Sequence, residues 1–301
     1  MIYIAEIGMN YNGNHSLIFE LIKQAKFAGA NVCKFQLGWR DQPGEINQLD
    51  IKKVNEIISW CEYFEVEPLF SILTQDAYDI FKKTNLKKIK IASRSLVEDY
   101  ELVNKIVREN IEKKIVISLG MWTESKLPFK PNKNIQYLYC VSKYPTFAKD
   151  LKNFPKKFDE NNFCGYSDHS IGIENCLIAI ARGAKIIEKH FILDKSIGGP
   201  DASFSLDQKE FTQMVKAVRE AELAIGKVDY KLTLKQLEGK NYCRSLYVSK
   251  DVNKDELITI KNVRSVRPGH GLHPKYLNDI LGKKFSRHLK KGDRMSLELI
   301  K

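Results

Sequence analysis

An α/β fold, a (β/α)8 TIM barrel followed by a small β-rich domain, is predicted by three features of this 301-residue chain. Short β-branched runs alternate with amphipathic segments over about the first 225 residues, and about eight such runs can be counted. No Gly-rich GxGxxG loop follows any of them, which argues against a doubly wound sheet. Beyond residue 227 the pattern changes to short strands and turns punctuated by Lys-Asp and Gly-Asp pairs.

The strands are predicted at 3–8, 32–37, 67–73, 88–93, 114–120, 136–142, 163–167 and 185–191. Helical patterns lie between most of them, at 16–28, 51–64, 76–83, 97–109 and 174–181. A last helix at 207–225 follows the eighth strand, with Asp207 placed to cap it. The links 121–134 and 149–162 are less clearly helical. The barrel is therefore taken as 1–228, a polar linker as 229–242 and the β-rich domain as 243–301. A domain of about 60 residues is marginal alone and leans on something larger. It contains the tight turn Arg267-Pro268-Gly269-His270-Gly271.

Composition narrows the function. No apolar run reaches the ~20 residues of a membrane helix, and the N-terminus has no basic leader, reading instead as a strand. Six cysteines without a CxxC pair suit reduced thiols in a cytoplasmic protein. The net charge of +12 comes without any groove-reading motif, so no nucleic-acid or membrane partner is expected. A basic field suits a small anionic substrate.

Barrel chemistry sits at the C-terminal ends of the strands. There the sequence places Glu6 and Asn10, then Lys34 and Gln36, Ser71, Lys90 and Ser93, Ser118, Ser142 and Tyr144. Strand seven adds Ser167, Asp168 and His169, and strand eight Glu188 and His190. Two imidazoles on consecutive strand ends can share one divalent ion and leave it open positions for substrate. Asp168 is a candidate to orient one of them. Lys34, Lys90 and Lys189 are flanked by apolar residues, and a bound anion would offset the cost of burying them. Cys140 reads as an inert buried thiol, and His15, His270, His273 and His288 as ordinary structural residues.

These segments resemble the sialic acid synthase family, the phosphoenolpyruvate-dependent nonulosonate synthases. The resemblance is carried by Ala5-Glu6-Ile7-Gly8-Met9-Asn10, Lys34-Phe35-Gln36, Lys90-Ile91-Ala92-Ser93, Ser118-Leu119-Gly120-Met121, Gly165 to Ser170, Glu188-Lys189-His190-Phe191 and Gly199-Pro200-Asp201. The C-terminal part is similar to the family's antifreeze-like SAF domain, with Arg267 to Gly271 as its marker. The resemblance implies a domain-swapped homodimer whose SAF domain caps the partner's site. By the family pattern His169 and His190 bind Mn2+ (Mg2+ or Co2+ being alternatives), and Lys34, Lys90, Ser93, Ser118 and Ser167 hold phosphoenolpyruvate. Glu6, Gln36, Ser142, Tyr144, Asp201 and Arg267 then contact the sugar, and Glu188 or Glu6 acts as the base.

Three departures from the pattern point to an altered acceptor, such as a 2,4-diacetamido-trideoxyhexose in place of N-acetylmannosamine. The family's Ser-Thr-Pro-Phe is Ser71-Ile72-Leu73-Thr74 here, so the threonine that helps bind phosphoenolpyruvate in the family is Ile72, with Thr74 as its candidate substitute. The loop 37–50 is short, and Ser142 replaces an asparagine. The alternatives are condensation with a different aldehyde, a Schiff-base aldolase using Lys34 or Lys90, and a non-catalytic sugar-binding relative.

Overall fold

The computed structural model describes residues 1–38, 44–226 and 231–301. Part of the short loop 37–50, the expected boundary at 228 and the first residues of the expected linker lie outside them. The chain divides into two compact units, Met1–Gly226 and Lys227–Lys301.

In the first unit, eight strands close a parallel barrel in sequential order. They are β1 (Ile2–Gly8), β2 (Val32–Leu37), β3 (Glu67–Ile72), β4 (Lys88–Ile91), β5 (Lys114–Ser118), β6 (Ile135–Cys140), β7 (Gly165–Asp168) and β8 (Ile186–His190). Helices α1 (Leu17–Phe27), α2 (Ile51–Tyr63) and α3 (Gln75–Lys82) follow the first three strands. After β4 come α4 (Ser93–Glu98) and α5 (Tyr100–Glu109), and α6 (Glu174–Ala181) and α7 (Gln208–Ala224) follow β7 and β8. Loops link β5 to β6 and β6 to β7, apart from a short turn at Ala148–Asp150.

The sequence explains most of the boundaries. Asp207 accepts a hydrogen bond from the Glu210 amide and Glu210 returns one to the Asp207 amide, a reciprocal cap for α7. The single helix expected at 97–109 is two helices, because Asp99 leaves helical geometry and caps α5 through the Leu102 amide. Several strands end earlier than their apolar runs predict. Ser93 opens α4, and residues 119–120 and 141–142 lie beyond their strands.

Alternation along the strands sorts the core into layers. Ile4, Val32, Leu69, Val116, Leu138 and Ile186 form an apolar cluster. Two residues further along the same strands stand Glu6, Lys34, Ser71, Ser118, Cys140 and Glu188. The apolar cluster thus floors the barrel and the polar layer lies above it, towards the C-terminal end. The opposite parity, including Ile7, Phe35, Ile72, Ile117, Tyr166 and Ile187, packs into the large outer core with the helices.

Gly165 is required where β7 meets β8. A Cβ there would lie 2.5 Å from the Ile186 carbonyl oxygen and 2.6 Å from Ile186 Cβ. Gly165→Ala is expected to cost about 1–3 kcal/mol through overpacking, measurable as a lower thermal midpoint.

The second unit has its own core, including Leu246, Val248, Ile258, Phe285 and Met295. An antiparallel pair, β9 (Ser245–Val248) and β10 (Val263–Val266), and the helix α9 (Leu277–Ile280) surround it. The expected polar linker carries the short helix α8 (Leu234–Glu238), capped by Thr233. Among the described residues, no helix is long and apolar enough to cross a membrane.

Candidate active site

A cavity of 470 Å³ opens at the C-terminal end of the barrel, within the usual size of a small-ligand pocket. Glu6, Lys34, Gln36, Lys90, Ser93, Ser118, Ser142, Tyr144, Ser167, His169, Glu188, His190 and Asp201 all line it. Strand register brings them side by side. Glu6 pairs with Lys34 on one flank and with His190 on the other. Ser71 pairs with Lys90, and Ser167 with Glu188.

The two lysines have different environments. Lys34 Nζ lies 2.5 Å from Glu6 Oε2 and 3.7 Å from Glu188 Oε1, and donates to Ser71 Oγ at 3.3 Å. Burial would lower its pKa, but Glu188 and Glu6 outweigh that and raise it. Lys90 donates to Ser118 Oγ at 2.7 Å and to the Ile91 carbonyl at 3.1 Å. Among the described residues no carboxylate lies within ion-pair distance of it, and burial lowers its pKa despite Glu188. Lys90 is thus a buried amine contacted by a hydroxyl and a carbonyl, with no carboxylate at ion-pair distance among the described residues, suited to a bound anion.

Glu188 accepts from Ser167 Oγ at 2.8 Å. Burial pushes its pKa up, but Lys34 and Lys90 hold it down at about 2, so it is ionised at neutral pH. Gln36 donates to Glu6 Oε1 at 3.1 Å and fixes that carboxylate. Ser93 accepts from the Gly120 amide and lies 3.5 Å from Cys140 Sγ, whose pKa is raised by burial.

The histidine rings lie 5.6 Å apart between centroids. His169 Nδ1 lies 2.8 Å from the Val141 carbonyl and donates to it, which leaves Nε2 with its lone pair. Burial, then the neighbouring His190, lowers the His169 pKa to about 4, so the ring is neutral. His190 Nδ1 is buried without a hydrogen-bond partner; Asp201 Oδ2 stands 3.4 Å away. Tyr144 packs over His169 at 4.4 Å, and Phe204 packs against His190 at 4.9 Å. Two imidazoles, His169 with Nε2 free and His190 with a buried unpartnered Nδ1, fit the donor chemistry of a divalent ion. Among the described residues no third His, Cys, Asp or Glu joins them in a cluster.

Several expectations are corrected. Lys189 is fully buried on the opposite face of β8, 2.7 Å from Asp168, and does not line the cavity. Asp168 is no partner of His169. Its Oδ1 accepts from Tyr166 Oη, the Ser170 amide and Ser170 Oγ. Ile72 points into the outer core, so its replacement of a threonine does not alter the cavity wall. Thr74 does not substitute for that threonine, because its hydroxyl caps α3 through the Ala77 amide at 3.2 Å. Arg267 is an exposed residue of the second unit. The sequence reading missed Met9, Leu73, Arg94, Met121 and Pro200 on the wall. Arg94 and Met121 adjoin Ser93 and Gly120, and that adjacency was the available signal.

Fold and cavity together define a barrel protein that presents buried lysines beside a pair of imidazoles. A model described as NeuB family matches residues 45–230, and one for the SAF domain matches 244–293. The chain is 36% identical to pseudaminic acid synthase of Campylobacter jejuni, over 97% of this chain and 94% of that protein. It is 28% identical to N,N'-diacetyllegionaminic acid synthase of the same species, over 96% and 97%. The crystal structure of N-acetylneuraminic acid (sialic acid) synthetase from Leptospira borgpetersenii, in complex with citrate, superposes with a TM-score of 0.66. That pair is 25% identical, over 80% of this chain and 90% of the other. The chain belongs to the NeuB family. Its relatives are synthases, and it is accordingly an enzyme.

Proposed function

We propose that the protein is a nonulosonic acid synthase. It condenses phosphoenolpyruvate and water with the open-chain aldehyde of an N-acylated amino sugar, releasing phosphate. The observation that carries this is Lys90, a buried amine with no carboxylate within ion-pair distance among the described residues, in one cavity with two imidazoles. The similarity to a pseudaminic acid synthase favours a 2,4-diacetamido-trideoxyhexose acceptor over N-acetylmannosamine.

Lys90, Ser93, Ser118 and Ser167 bind the donor's phosphate and carboxylate, with Lys34 beside them. Glu6, Gln36, Ser142, Tyr144 and Asp201 orient the sugar, and Arg267 of a partner subunit contacts its N-acyl group in a homodimer. His169 and His190 would hold a divalent ion, Mn2+ in the first instance, which would supply Lewis-acid polarisation of the aldehyde. The donor's methylene carbon bonds to the aldehyde carbon, water adds at the adjacent enol carbon, and that carbon's bond to the phosphate oxygen breaks. Glu188, fixed by Ser167, or Glu6 takes one of the water's protons and gives it to the new alkoxide, and the other leaves with the phosphate. Lys34 is kept protonated by its two carboxylates, which argues against a Schiff base there.

The test is phosphate release from phosphoenolpyruvate with Mn2+ across a panel of N-acylated hexoses. Release is expected with one sugar and is lost on chelation and in His169→Ala. Release that survives chelation would remove the metal from the reading. No release with any sugar, from folded protein, would sink the synthase reading.

A further inference from the structure

The segment 198–206, between β8 and α7, has no helix or strand of its own beyond a single bridge of Leu206 to Phe191. Yet it carries Asp201 and Phe204, two of the side chains against His190. Backbone hydrogen bonds between Leu206 and the end of β8 hold it, and so does Asn10, which is 1% exposed in the turn after β1. Asn10 Nδ2 donates to the Phe191 carbonyl at 2.8 Å and to Ser205 Oγ at 2.9 Å. Ser205, fully buried, passes its own hydroxyl proton to the Asp201 carbonyl at 2.7 Å. The Ser205 amide donates to the same carbonyl at 3.1 Å. Asn10 Oδ1 has no partner, so the holding is done by its two N–H donors.

We propose that Asn10 is a positioning residue that, through Ser205, sets Asp201 and His190 relative to one another. It thereby governs the metal and acceptor side of the cavity and leaves the donor side alone. None of these hydrogen bonds goes to Lys90, Ser118 or Ser167. Asn10 reaches across 181 and 195 residues of sequence to do this, joining the first strand to the segment after the last. A short polar side chain whose donors are both used on buried partners is a rigid tether rather than a filler. The inference rests on the synthase reading for its functional consequence and on geometry alone for the tether.

The test uses Asn10→Ala, Ser205→Ala, their double variant and Asn10→Asp in the full chain. Mn2+ affinity is read from the paramagnetic resonance of unbound ion. Donor binding is read as thermal protection by phosphoenolpyruvate without metal. The His190 ring signal in the NMR spectrum is assigned with His190→Gln. Mn2+ binding is expected to weaken about 10–100-fold, the range for removing a group that orients a ligand. Acceptor KM rises alongside it, while protection by phosphoenolpyruvate is unchanged. Asn10→Asp is as damaging as Asn10→Ala despite its matched shape, because a carboxylate cannot donate to the Phe191 carbonyl. The double variant is no worse than Asn10→Ala, since both act in one chain of contacts. The His190 signal shifts in every variant. An unmoved His190 signal, or additive losses in the double variant, overturns the tether. So does a parallel loss of Mn2+, acceptor and phosphoenolpyruvate binding, which marks a merely structural role. Wild-type protein that binds no Mn2+ and turns over no sugar defeats the synthase reading, and the His190 signal still decides the tether.

Discussion

Replacing Lys90 with methionine is expected to lower kcat/KM for phosphoenolpyruvate by about 10²–10³-fold without lowering thermal stability. The loss is the size seen when one partner of a buried charge-assisted contact is removed, about 3–4 kcal/mol at about 1.4 kcal/mol per tenfold. The stability follows from what Lys90 lacks. It is 1% exposed, and its ammonium is met by a hydroxyl and a carbonyl, not by a carboxylate. A methionine of similar length removes an expensive desolvated charge, so the thermal midpoint stays level or rises. Lys34→Met should behave differently, because it leaves Glu6 and Glu188 facing one another without the cation between them. Steady-state phosphate release and a thermal melt on the two variants check this. Lys90→Met protein that retains full turnover would remove Lys90 from the donor site.

The largest expected loss of stability is at Lys189. Its side chain and that of Asp168 are fully buried and 2.7 Å apart. Lys189 also donates to the Ser170 carbonyl, while Tyr166, Ser170 and Cys176 surround the carboxylate. Burial pushes the Asp168 pKa up, and Lys189 more than reverses this, so the carboxyl is ionised. Lys189→Met leaves that charge unpaired in the interior and should cost about 3–5 kcal/mol. For a unit of this size that is a fall of roughly 10 °C in the thermal midpoint. Adding Asp168→Asn to Lys189→Met should recover a good part of it, since both charges are then gone. Calorimetry on the single and double variants measures this. A midpoint within a degree of wild type for Lys189→Met would show that the pair contributes little. At temperatures where the variant remains folded, protection by phosphoenolpyruvate should persist, because the pair lies outside the cavity wall.

The barrel and most of the cavity wall were legible in the sequence because strand ends carry the chemistry in this architecture. Glu6, Lys34, Lys90, Glu188 and both histidines stand out as polar residues ending apolar runs, and they meet in one cavity. Facing direction was harder to read. A barrel strand is buried on both sides, so its two parities are equally apolar and the alternation that marks an ordinary sheet is muted. That is why Lys189 looked like a cavity residue when it belongs to the outer layer. The same ambiguity made Ile72 look like a damaged donor contact. Thr74 offered a signal that was passed over: a threonine just before Gln75-Asp76 fits a helix cap better than a ligand contact. The part played by Asn10 depends on partners 181 and 195 positions away and has no local signature.

The inward and outward residues of β7 and β8 limit how this gene can change. Ser167, Glu188 and His190 share their strands with Asp168 and Lys189, one residue out of step. Inserting or deleting a single codon in either strand would turn the cavity residues into the outer layer and the buried ion pair into the cavity. Chemistry and fold would fail in the same event, with no intermediate for selection to keep. Length variation among descendants of this chain should therefore collect in the connections, where it does not disturb the strands.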